Sequence, residues 1–191
     1  MTVSVRPARI DDAQQLLDIY KPYVLETAVS FEITPPTREE FEQNIRTTQE
    51  ASYPYLVAEC DGVPVGYAYA HRFRVREAYD HCAEVSIYLA QSMRGRGIGR
   101  ALYEQLEKLL AEQGIVNLYA CVAYRDEEDG YLTHASCHFH EKLGYVPVGR
   151  FSKCGRKFGR YYDLVYMEKH VGAHEEPKEY TQECSKILSR S

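Results

Sequence analysis

The sequence has no long hydrophobic run, no C-x-x-C pair of cysteines and no excess of basic residues. No apolar stretch approaches the roughly 20 residues that a membrane-spanning helix needs, and the first residues contain no apolar signal core. We therefore expect a cytoplasmic protein that does not bind a membrane. The six cysteines are dispersed, and a chain of 191 residues needs no disulfide staples, so we expect free thiols. A net charge of −5 argues against a general nucleic-acid-binding protein.

The composition is that of an ordinary folded domain, with 45% hydrophobic and 27% charged residues. We assign residues 1–170 to one domain and residues 171–191 to a charged C-terminal tail, in which residues 185–188 could form a short helix. Basic residues concentrate at three places, which are residues 72–76, 94–100 and 150–160. Local basic patches in an acidic chain favour a small anionic ligand over a polymer.

Strand and helix patterns together predict an α+β fold. Strands are predicted at residues 3–6, 54–60, 63–70, 83–89, 117–123, 145–151 and 161–167. Helices are predicted after a capping box at Asp11 and Gln14, after a second at Thr37 and Glu40, and at residues 101–113 and 132–143. Asp61-Gly62 is a strong hairpin signal. Because strands come in runs with few helices between them, the sheet should be mixed and largely antiparallel.

A glycine- and arginine-rich segment follows the strand at residues 83–89. Its residues are Arg94, Gly95, Arg96, Gly97, Ile98, Gly99 and Arg100. Glycines let the backbone approach a ligand closely, and the start of the following helix offers unpaired N–H groups and partial positive charge to a phosphate. The segment therefore predicts a diphosphate-binding loop, and a solvated Arg/Gly turn is the alternative.

Different phosphate-binding motifs compete for this segment. A P-loop needs Lys followed by Ser or Thr, where Arg100-Ala101 stands. The dinucleotide fingerprint G-x-G-x-x-G fits Gly95 and Gly97 but meets Arg100 at its third glycine. The segment resembles the pyrophosphate loop of GNAT acetyltransferases, Gln/Arg-x-x-Gly-x-Gly/Ala, which Arg94, Gly97 and Gly99 satisfy.

The strand before the loop has two different faces, since side chains alternate along a strand. The faces are Val85, Ile87 and Leu89, expected to be core, and Glu84, Ser86 and Tyr88. Glu84 could act as a general base, directly or through water, because partial burial makes a carboxylate a stronger base. The alternative is a solvated sheet face with an incidental glutamate.

Several motifs, in order, resemble the phosphinothricin N-acetyltransferase group of GNAT proteins across residues 3–167. They are residues 29–32 (VSFE), 83–89 (AEVSIYL), 94–102 (RGRGIGRAL), 140–145 (HEKLGY) and 155–160 (GRKFGR). The resemblance implies a GNAT fold, with a mixed, mostly antiparallel sheet splayed around acetyl-CoA and helices on both faces. It also implies a homodimer, for which Tyr161, Tyr162 and Tyr166 on the closing strands offer a surface.

The resemblance also assigns roles to residues of this chain. The backbone of Ile87, Tyr88 and Leu89 would pair with the pantetheine arm of acetyl-CoA, and the Leu89 amide would polarise the thioester carbonyl. Residues 94–100 would hold the pyrophosphate, and Glu84 would be the base. The residues that would contact the acceptor are Phe31, Glu32, Arg74, Val75, Arg76 and Tyr79.

Two departures from the family pattern lie near the expected pantetheine. The group usually has Asn three residues before the serine matched by Ser136, and Thr133 stands there. We count both Thr133 and Ser136 among the cofactor-binding residues. The preceding segment, residues 126–131, looks lengthened. These changes affect the acceptor and the contacts with CoA rather than the reaction class.

The predicted helix at residues 132–143 contains three histidines and a cysteine, a composition that invites a metal site. At about 100° per residue, His134 and His138 fall on the solvent side and Cys137 points elsewhere, so one helix cannot bring the three to one ion, and we expect no metal. His140 stands where many GNAT proteins have a tyrosine thought to protonate the departing CoA thiolate. A histidine could do the same near its own pKa, or it could simply pack on Phe139.

We expect direct acetyl transfer from acetyl-CoA to the primary amine of a small amino-acid-like acceptor, of the phosphinothricin or methionine sulfoximine type. Arg74 and Arg76 suit a carboxylate or phosphinate on that acceptor. Three alternatives remain. They are a ping-pong reaction through Cys82 or Cys121, a CoA-binding regulatory module without catalysis, and acetylation of protein or peptide N-termini.

Overall fold

A computed structural model describes residues 2–174, and within them four α-helices surround one seven-stranded sheet. The strands are β1 (Val3–Pro7), β2 (Tyr55–Cys60), β3 (Val63–Arg72), β4 (Cys82–Leu89), β5 (Asn117–Tyr124), β6 (Val146–Lys157) and β7 (Arg160–His170). The helices are α1 (Ala13–Leu25), α2 (Arg38–Glu50), α3 (Ile98–Glu112) and α4 (Ala135–Lys142). The α+β prediction is confirmed. Residues 175–191, with the predicted helix at 185–188, lie outside the described residues.

The strands lie in the order β1-β2-β3-β4-β5-β7-β6, and the neighbours are antiparallel except for β4 and β5. The turn at Asp61 and Gly62 joins β2 to β3 as predicted, with φ of 50° and 82°, which suits the twist of a two-residue hairpin. The parallel pair matters most for function. β4 and β5 pair from Cys82↔Asn117 to Glu84↔Tyr119, and beyond that point the two strands separate.

Helices cover both faces of the sheet because side chains alternate along its strands. Leu56 of β2 packs in the layer of Leu102 of α3, whereas its neighbour Tyr55 packs in the layer of Leu16 of α1 and Ile45 of α2. All five side chains are buried, and burial of each large apolar side chain stabilises the fold by roughly 1.5–3 kcal/mol. The sheet therefore separates two hydrophobic layers, and the gap between β4 and β5 interrupts the sheet at one place.

The start of α1 differs from its prediction. The predicted capping box at Asp11 and Gln14 is wrong, since a 3-10 turn at Ile10–Asp12 precedes the helix. The Asp12 carboxylate instead accepts the Arg9 N–H (2.7 Å) and two hydrogen bonds from the guanidinium of Arg6 on β1 (2.7 and 2.8 Å). A partner on the preceding strand sets where α1 begins, and helical spacing does not reveal that partner.

The starts of α2 and α3 follow their signals more closely. At α2 the predicted box is confirmed, because the Thr37 N–H donates to Glu40 Oε2 (2.7 Å) and the Glu40 N–H donates to Thr37 Oγ1 (3.2 Å). α3 begins at Ile98, three residues before the predicted start, directly after the glycine-rich segment. The helix therefore begins at the loop that the sequence assigns to a phosphate.

α4 is shorter at its start than predicted because Asp129 holds the preceding segment in a loop. Its carboxylate accepts the N–H groups of Tyr131 (2.8 Å) and Leu132 (2.9 Å), the hydroxyl of Tyr162 (3.1 Å) and the guanidinium of Arg160 (2.8 Å). Burial raises the pKa of Asp129, but the hydrogen bonds from Arg160, Tyr131 and Leu132 outweigh it and lower that pKa to about 2. Tyr162, predicted on an exposed dimer surface, is fully buried here, so that assignment is wrong.

Replacing Asp129 with asparagine should lower the free energy of unfolding by about 2 kcal/mol at neutral pH. The pKa of the carboxyl is about 2 in the folded chain, below its ordinary value of 3.8. Its stabilisation is therefore complete above about pH 4 and lost as the pH falls through about 2. Urea unfolding at neutral and at acid pH measures both effects. Asp126→Asn, at an exposed carboxylate, is the control; equal losses in the two variants, or a loss at Asp129 independent of pH, would contradict the prediction.

Candidate active site

The separation of β4 from β5 opens a cleft of about 270 Å³ that reaches the loop before α3. Its lining residues are Tyr23, Val29, Ile87, Leu89, Arg94, Gly95, Thr133, Ala135, Ser136 and Phe139. Six of these are predicted cofactor-binding residues, from residues 87–95 and 133–136. The fold thus brings together two segments about 40 residues apart in the sequence, as the resemblance implies.

The edge of β4 that faces the cleft carries the backbone groups of Ile87 and Leu89. The Ala90 N–H donates to the Val65 carbonyl on β3 (2.9 Å). Since amides alternate in direction along a strand, those of Ile87 and Leu89 point away from β3 and into the cleft. Tyr88, predicted alongside them, has its backbone towards β3 and its ring among tyrosines on the α1 side. An extended ligand chain can therefore pair with this edge through Ile87 and Leu89, but not through Tyr88.

Tyr23 of α1 reaches the same edge. Its hydroxyl accepts the Leu89 N–H (3.1 Å) and donates to the Leu89 carbonyl (2.6 Å). The guanidinium of Arg94 lies over its ring, 5.1 Å from the centroid. Helical spacing identifies Tyr23 only as a core position near Tyr20. It cannot predict the hydrogen bonds to Leu89, because Leu89 lies 66 residues away in the sequence. The Leu89 amide, predicted to polarise a thioester, here binds an oxygen atom of the protein itself.

The glycine-rich segment has the geometry of an anion-binding loop. Gly95 and Gly97 have left-handed backbones, with φ of 74° and 80°, which other residues adopt only with strain. Gly97 is the N-cap of α3 and, having no side chain, makes no capping hydrogen bond to the first turn of the helix. The first-turn N–H groups and the helix dipole are therefore available to an anion, which is the geometry that the predicted pyrophosphate loop requires.

The remaining residues of this loop divide between core and surface. Ile98 and Gly99 are buried, so Ile98 can contribute to a ligand only through its backbone. A Cβ at Gly99 would lie 2.9 Å from the ring of Phe139 on α4, so this glycine also permits the two helices to pack. The three arginines of the loop are exposed, and Arg100 lies 3.5 Å from Glu104. Any attraction that they exert on an anion acts through solvent and weakens with salt.

Glu84 lies at the point where β4 and β5 stop pairing. Its side chain is 18% exposed, and its Oε1 is 3.6 Å from Nε2 of His71, its register partner on β3. Ser86 and Cys121 line the narrow inner part of the cleft next to it. The carboxylate is thus shielded yet reachable, as a general base must be. The sequence pattern does not single out His71, whose position depends on the register of β3 against β4.

The thiols near the site are not activated. Burial is the largest influence on the pKa of both thiols. It raises the pKa of Cys121 to about 12 and also raises the pKa of Cys82. The negative charge of Glu84 acts on Cys121 in the same direction. Because the thiolate is the nucleophile, neither cysteine suits the ping-pong alternative. The five cysteines within residues 2–174 are free, as predicted, and Cys184 lies beyond the described part of the chain.

His140 is buried between α4 and α3. Its Nδ1 donates to the Ser136 carbonyl (2.8 Å), since a carbonyl can only accept, and its Nε2 then accepts from the Tyr103 hydroxyl (3.1 Å). Burial lowers the pKa of His140 to about 4, so the ring is neutral at neutral pH. A neutral imidazole whose Nε2 already accepts a hydrogen bond has no proton to give there. The geometry therefore speaks against the predicted role of His140 as the acid that protonates a thiolate.

The His140 ring should titrate at about 4 in the folded protein, against about 6.5 for an ordinary histidine. Between these values only the unfolded chain takes up the proton, so burial of His140 costs stability as the pH falls from about 6.5 towards 4 and costs none above. NMR of the imidazole signals against pH measures the value, with His140→Gln to assign the resonance. A His140 signal that titrates near 6.5 would contradict the buried neutral ring.

The predicted acceptor residues after β3 lie on an exposed rim. The Arg74 guanidinium is 4.1 Å from the centroid of the Phe73 ring, and Tyr79 packs edge-on against the same ring at 6.0 Å. Val75 and Arg76 are exposed on the same loop. This rim therefore offers two guanidinium groups, with Arg74 held in place by the aromatic ring below it.

Phe31 and Glu32 follow α1, and their side chains lie in different surroundings: the Phe31 ring packs against the protein, whereas Glu32 is exposed. The Phe31 ring fills the space over Gly155, where a Cβ would lie 2.4 Å from it. Glu32 is exposed, while its backbone N–H donates to Ser30 Oγ (3.2 Å). The buried ammonium of Lys157, which the sequence pattern does not single out, donates to the Ser30 carbonyl (2.6 Å). Phe31 therefore fixes this loop to β6, and Glu32 presents its carboxylate to solvent.

Within residues 2–174, no group of His, Cys, Asp and Glu side chains is arranged to hold a metal ion. His134 instead stacks on Tyr124 at 5.1 Å, and its Nε2 bonds to the Arg125 carbonyl (2.8 Å). The helices in the described part of the chain include none that is long and apolar enough to cross a membrane. The cytoplasmic location stays a prediction.

Comparison with known proteins assigns this geometry to a family. Residues 5–166 match the family model described as Acetyltransferase (GNAT) domain. A phosphinothricin N-acetyltransferase of Streptomyces coelicolor is 35% identical in an alignment of 172 residues, which covers 87% of this chain and 95% of that protein. An L-methionine sulfoximine/L-methionine sulfone acetyltransferase of Pseudomonas aeruginosa is 31% identical over 90% of this chain and 96% of its own length.

A solved structure agrees with the sequence relatives. The crystal structure of a GNAT superfamily phosphinothricin acetyltransferase from Sinorhizobium meliloti, in complex with AcCoA, has a TM-score of 0.85 and 32% identity, and covers 97% of this chain and 98% of its own. The match to the family model includes β4, the glycine-rich loop and β5. The chain is a member of the GNAT family of acetyltransferases.

Proposed function

We propose that the protein transfers the acetyl group of acetyl-CoA directly to the primary amine of a small amino-acid-like acceptor. The observation that carries this proposal is the β4–β5 cleft, which leads from the anion-binding turn at residues 95–97 past cleft-facing amides to the neighbourhood of Glu84. Relatives named for phosphinothricin and for methionine sulfoximine or sulfone support an acceptor of this class.

The chain's own residues fit acetyl-CoA along the cleft. The amides at the start of α3 would hold the pyrophosphate, with Arg94 beside them. The residues that would line the pantetheine arm are Ile87, Leu89, Thr133 and Ser136. The Leu89 N–H donates to the Tyr23 hydroxyl (3.1 Å), so a thioester carbonyl would have to share this amide with Tyr23 or replace its oxygen there. When bound, acetyl-CoA supplies the acetyl group and a thiol leaving group.

Proton movement is assigned to Glu84. Its carboxylate takes a proton from the acceptor ammonium, directly or through water, and this leaves a neutral amine that can attack. Solvent returns a proton to the departing thiolate, because His140 is buried and neutral. Arg74 and Arg76 on the exposed rim pair with the carboxylate or phosphinate of the acceptor.

A thiol-release assay with acetyl-CoA tests this proposal. The acceptor panel contains free amino acids, their phosphinate and sulfoximine analogues, and short peptides. Turnover with free amino acids or their analogues supports the proposal. Faster turnover with peptides than with any free amino acid would replace it with acetylation of protein N-termini. Acetyl-CoA binding without any turnover would leave a CoA-binding regulatory module.

We also propose that β6 forms the contact of a homodimer. This strand is one of the two outer strands of the sheet, and it exposes Val146, Val148 and Phe151, with exposed Tyr161 on β7. An exposed edge strand with apolar side chains is a ready pairing surface. Light scattering after gel filtration should give twice the monomer mass, and Val148→Lys should give the monomer mass. A monomeric wild-type protein would overturn the dimer without affecting the acetyl transfer.

A further inference from the structure

A histidine lies next to the proposed base Glu84 and has so far no part in the proton movement assigned to it. His71 and Glu84 are register partners on β3 and β4, so their side chains lie side by side on one face of the sheet. Nε2 of His71 is 3.6 Å from Oε1 of Glu84. A second proton acceptor is therefore within a small side-chain movement of the carboxylate.

The His71 ring is held with a free lone pair towards Glu84. Its Nδ1 is 3.1 Å from the Arg72 carbonyl. A carbonyl oxygen can only accept, so Nδ1 carries the hydrogen of the neutral ring and Nε2 carries none. The ionised carboxylate and the bare nitrogen are both acceptors, and 3.6 Å is beyond hydrogen-bond distance, as expected without a proton between them. A proton that arrives on either atom can draw the two together.

The two side chains differ in their access to solvent. Glu84 is 18% exposed, whereas His71 is 43% exposed. His71 is the last residue but one of β3, just before the exposed rim that carries Arg74 and Arg76. The histidine is therefore the more open member of the pair, and a proton on its ring can leave to water.

The charge of Glu84 acts on four other titratable side chains, which already hold their protons at neutral pH. They are Tyr69, Arg74, Cys121 and Tyr166. Burial raises the pKa of Cys121 to about 12, and it also raises the pKa of Tyr69 and of Tyr166. A hydrogen bond to the Tyr166 hydroxyl raises the pKa of Arg74. A thiol, two phenols and a guanidinium cannot take up a proton from Glu84, whereas a neutral imidazole can.

We propose that Glu84 passes the proton it takes from the acceptor to Nε2 of His71, which then releases that proton to water. His71 thus returns Glu84 to its ionised form for the next turnover. It acts through Glu84 rather than on the substrate, so it is a positioning residue for the proton. The inference rests on the proposed acetyl transfer and adds a residue to its proton path.

The protons balance along this path. A thioester and an ammonium give an amide, a thiol and one free proton, so one proton must reach solvent in each turnover. The N–H bond of the ammonium breaks with its electron pair left on nitrogen, and an O–H bond forms at Glu84. That O–H bond breaks as an N–H bond forms at Nε2 of His71, because an ordinary imidazole binds a proton more tightly than an ordinary carboxylate. The second proton that the nitrogen loses is matched by the one that solvent returns to the thiolate.

Replacing His71 with alanine should lower kcat roughly ten- to a hundredfold, because Glu84 must then lose its proton to water from a shielded position. The affinity for acetyl-CoA should stay unchanged. Added imidazole should raise kcat of this variant about tenfold, since the truncated side chain leaves space for a free imidazole beside the carboxylate. Steady-state kinetics with and without imidazole, using the best acceptor of the thiol-release panel, measures both effects.

His170→Ala is the matched control. His170 is 52% exposed, and its Nε2 is 3.1 Å from Oε2 of Glu168, which is 19% exposed. This is the same kind of pair, placed on β7. The variant should keep the kcat of the wild type, and imidazole should change neither of them. An unchanged kcat in His71→Ala would overturn the inference, and so would a loss that imidazole does not restore or an equal effect of imidazole on the wild type.

Nitrogen NMR of the wild-type protein tests the inference without turnover. The neutral His71 ring should carry its hydrogen on Nδ1 and none on Nε2, with His71→Ala to assign the signals. A hydrogen on Nε2 of the neutral ring would overturn the inference, because that atom would have no lone pair for the proton from Glu84. An absence of turnover with every acceptor is a failure of the proposed function, whereas wild-type turnover that His71→Ala leaves intact is a failure of this inference alone.

Discussion

Replacing Glu84 with glutamine should lower kcat/KM for the acceptor by about a hundred- to ten-thousand-fold. The amide keeps the size of the side chain and its place on β4, but it cannot take a proton from the acceptor ammonium. The loss should shrink as the pH rises, because an amine that is already neutral needs no base. Steady-state kinetics of Glu84→Gln across the pH range measures both the loss and its recovery.

The same variant should bind acetyl-CoA as tightly as the wild-type protein, since the proposed binding groups are backbone amides of β4 and α3. Glu59→Gln is a matched control, because Glu59 is 19% exposed, like Glu84 at 18%, and lies on β2 in an ion pair with Arg6. It should keep full activity. Turnover of Glu84→Gln that equals the wild type at every pH would remove Glu84 as the base.

Replacing Gly97 with alanine should weaken acetyl-CoA binding by about a hundredfold. The residue has φ of 80°, and a left-handed backbone costs a residue with a Cβ roughly 1–2 kcal/mol. Relief of that strain turns the first-turn amides of α3 away from the pyrophosphate, and each hydrogen bond to a charged group contributes about 1.5–3 kcal/mol. Isothermal titration of acetyl-CoA into the variant measures the change.

Gly62→Ala separates backbone strain from ligand binding. Gly62 has φ of 82° at the tip of the β2–β3 hairpin, and an added Cβ meets no atom within 4 Å at either glycine. Both variants should lose similar stability, as measured by urea unfolding, but only Gly97→Ala should lose affinity for acetyl-CoA. Equal affinities in the two variants would show that the turn before α3 does not bind the pyrophosphate.

The sequence predicts the parts of the site that depend on local pattern. Alternation along β4 places Glu84 and Ser86 on one face, and the glycines before α3 predict a freely bending loop, where the structure has left-handed backbones at Gly95 and Gly97. The hairpin at Asp61 and Gly62 follows from the same kind of signal. These features depend on the backbone preferences of a few consecutive residues, so they can be recognised without knowledge of the fold.

The features that the sequence misses depend on contacts between distant segments. Tyr23 matters because its hydroxyl meets Leu89, and His71 matters because the register of β3 places it opposite Glu84. His140 has the position of a general acid, but its burial against Tyr103 keeps it neutral. In each case the residue type is visible in the sequence, whereas its neighbours and its degree of burial come from the tertiary fold.

The same distinction explains the two wrong assignments in the fold. α1 begins after a 3-10 turn because Asp12 binds Arg6 of β1, and a local capping pattern cannot show such a partner. Tyr162 alternates along β7 as a surface residue would, yet its hydroxyl meets Asp129 in the interior. A pattern that counts only apolar positions cannot predict the burial of a side chain that ends in a polar group, such as tyrosine.

Titration of acetyl-CoA into the folded protein bears most directly on the central claim, which is that the turn before α3 and the open edge of β4 together form a coenzyme site. We predict saturable binding of one acetyl-CoA per chain, weakened in Gly97→Ala and retained in Glu84→Gln. A folded wild-type protein with no measurable affinity for acetyl-CoA would contradict that claim.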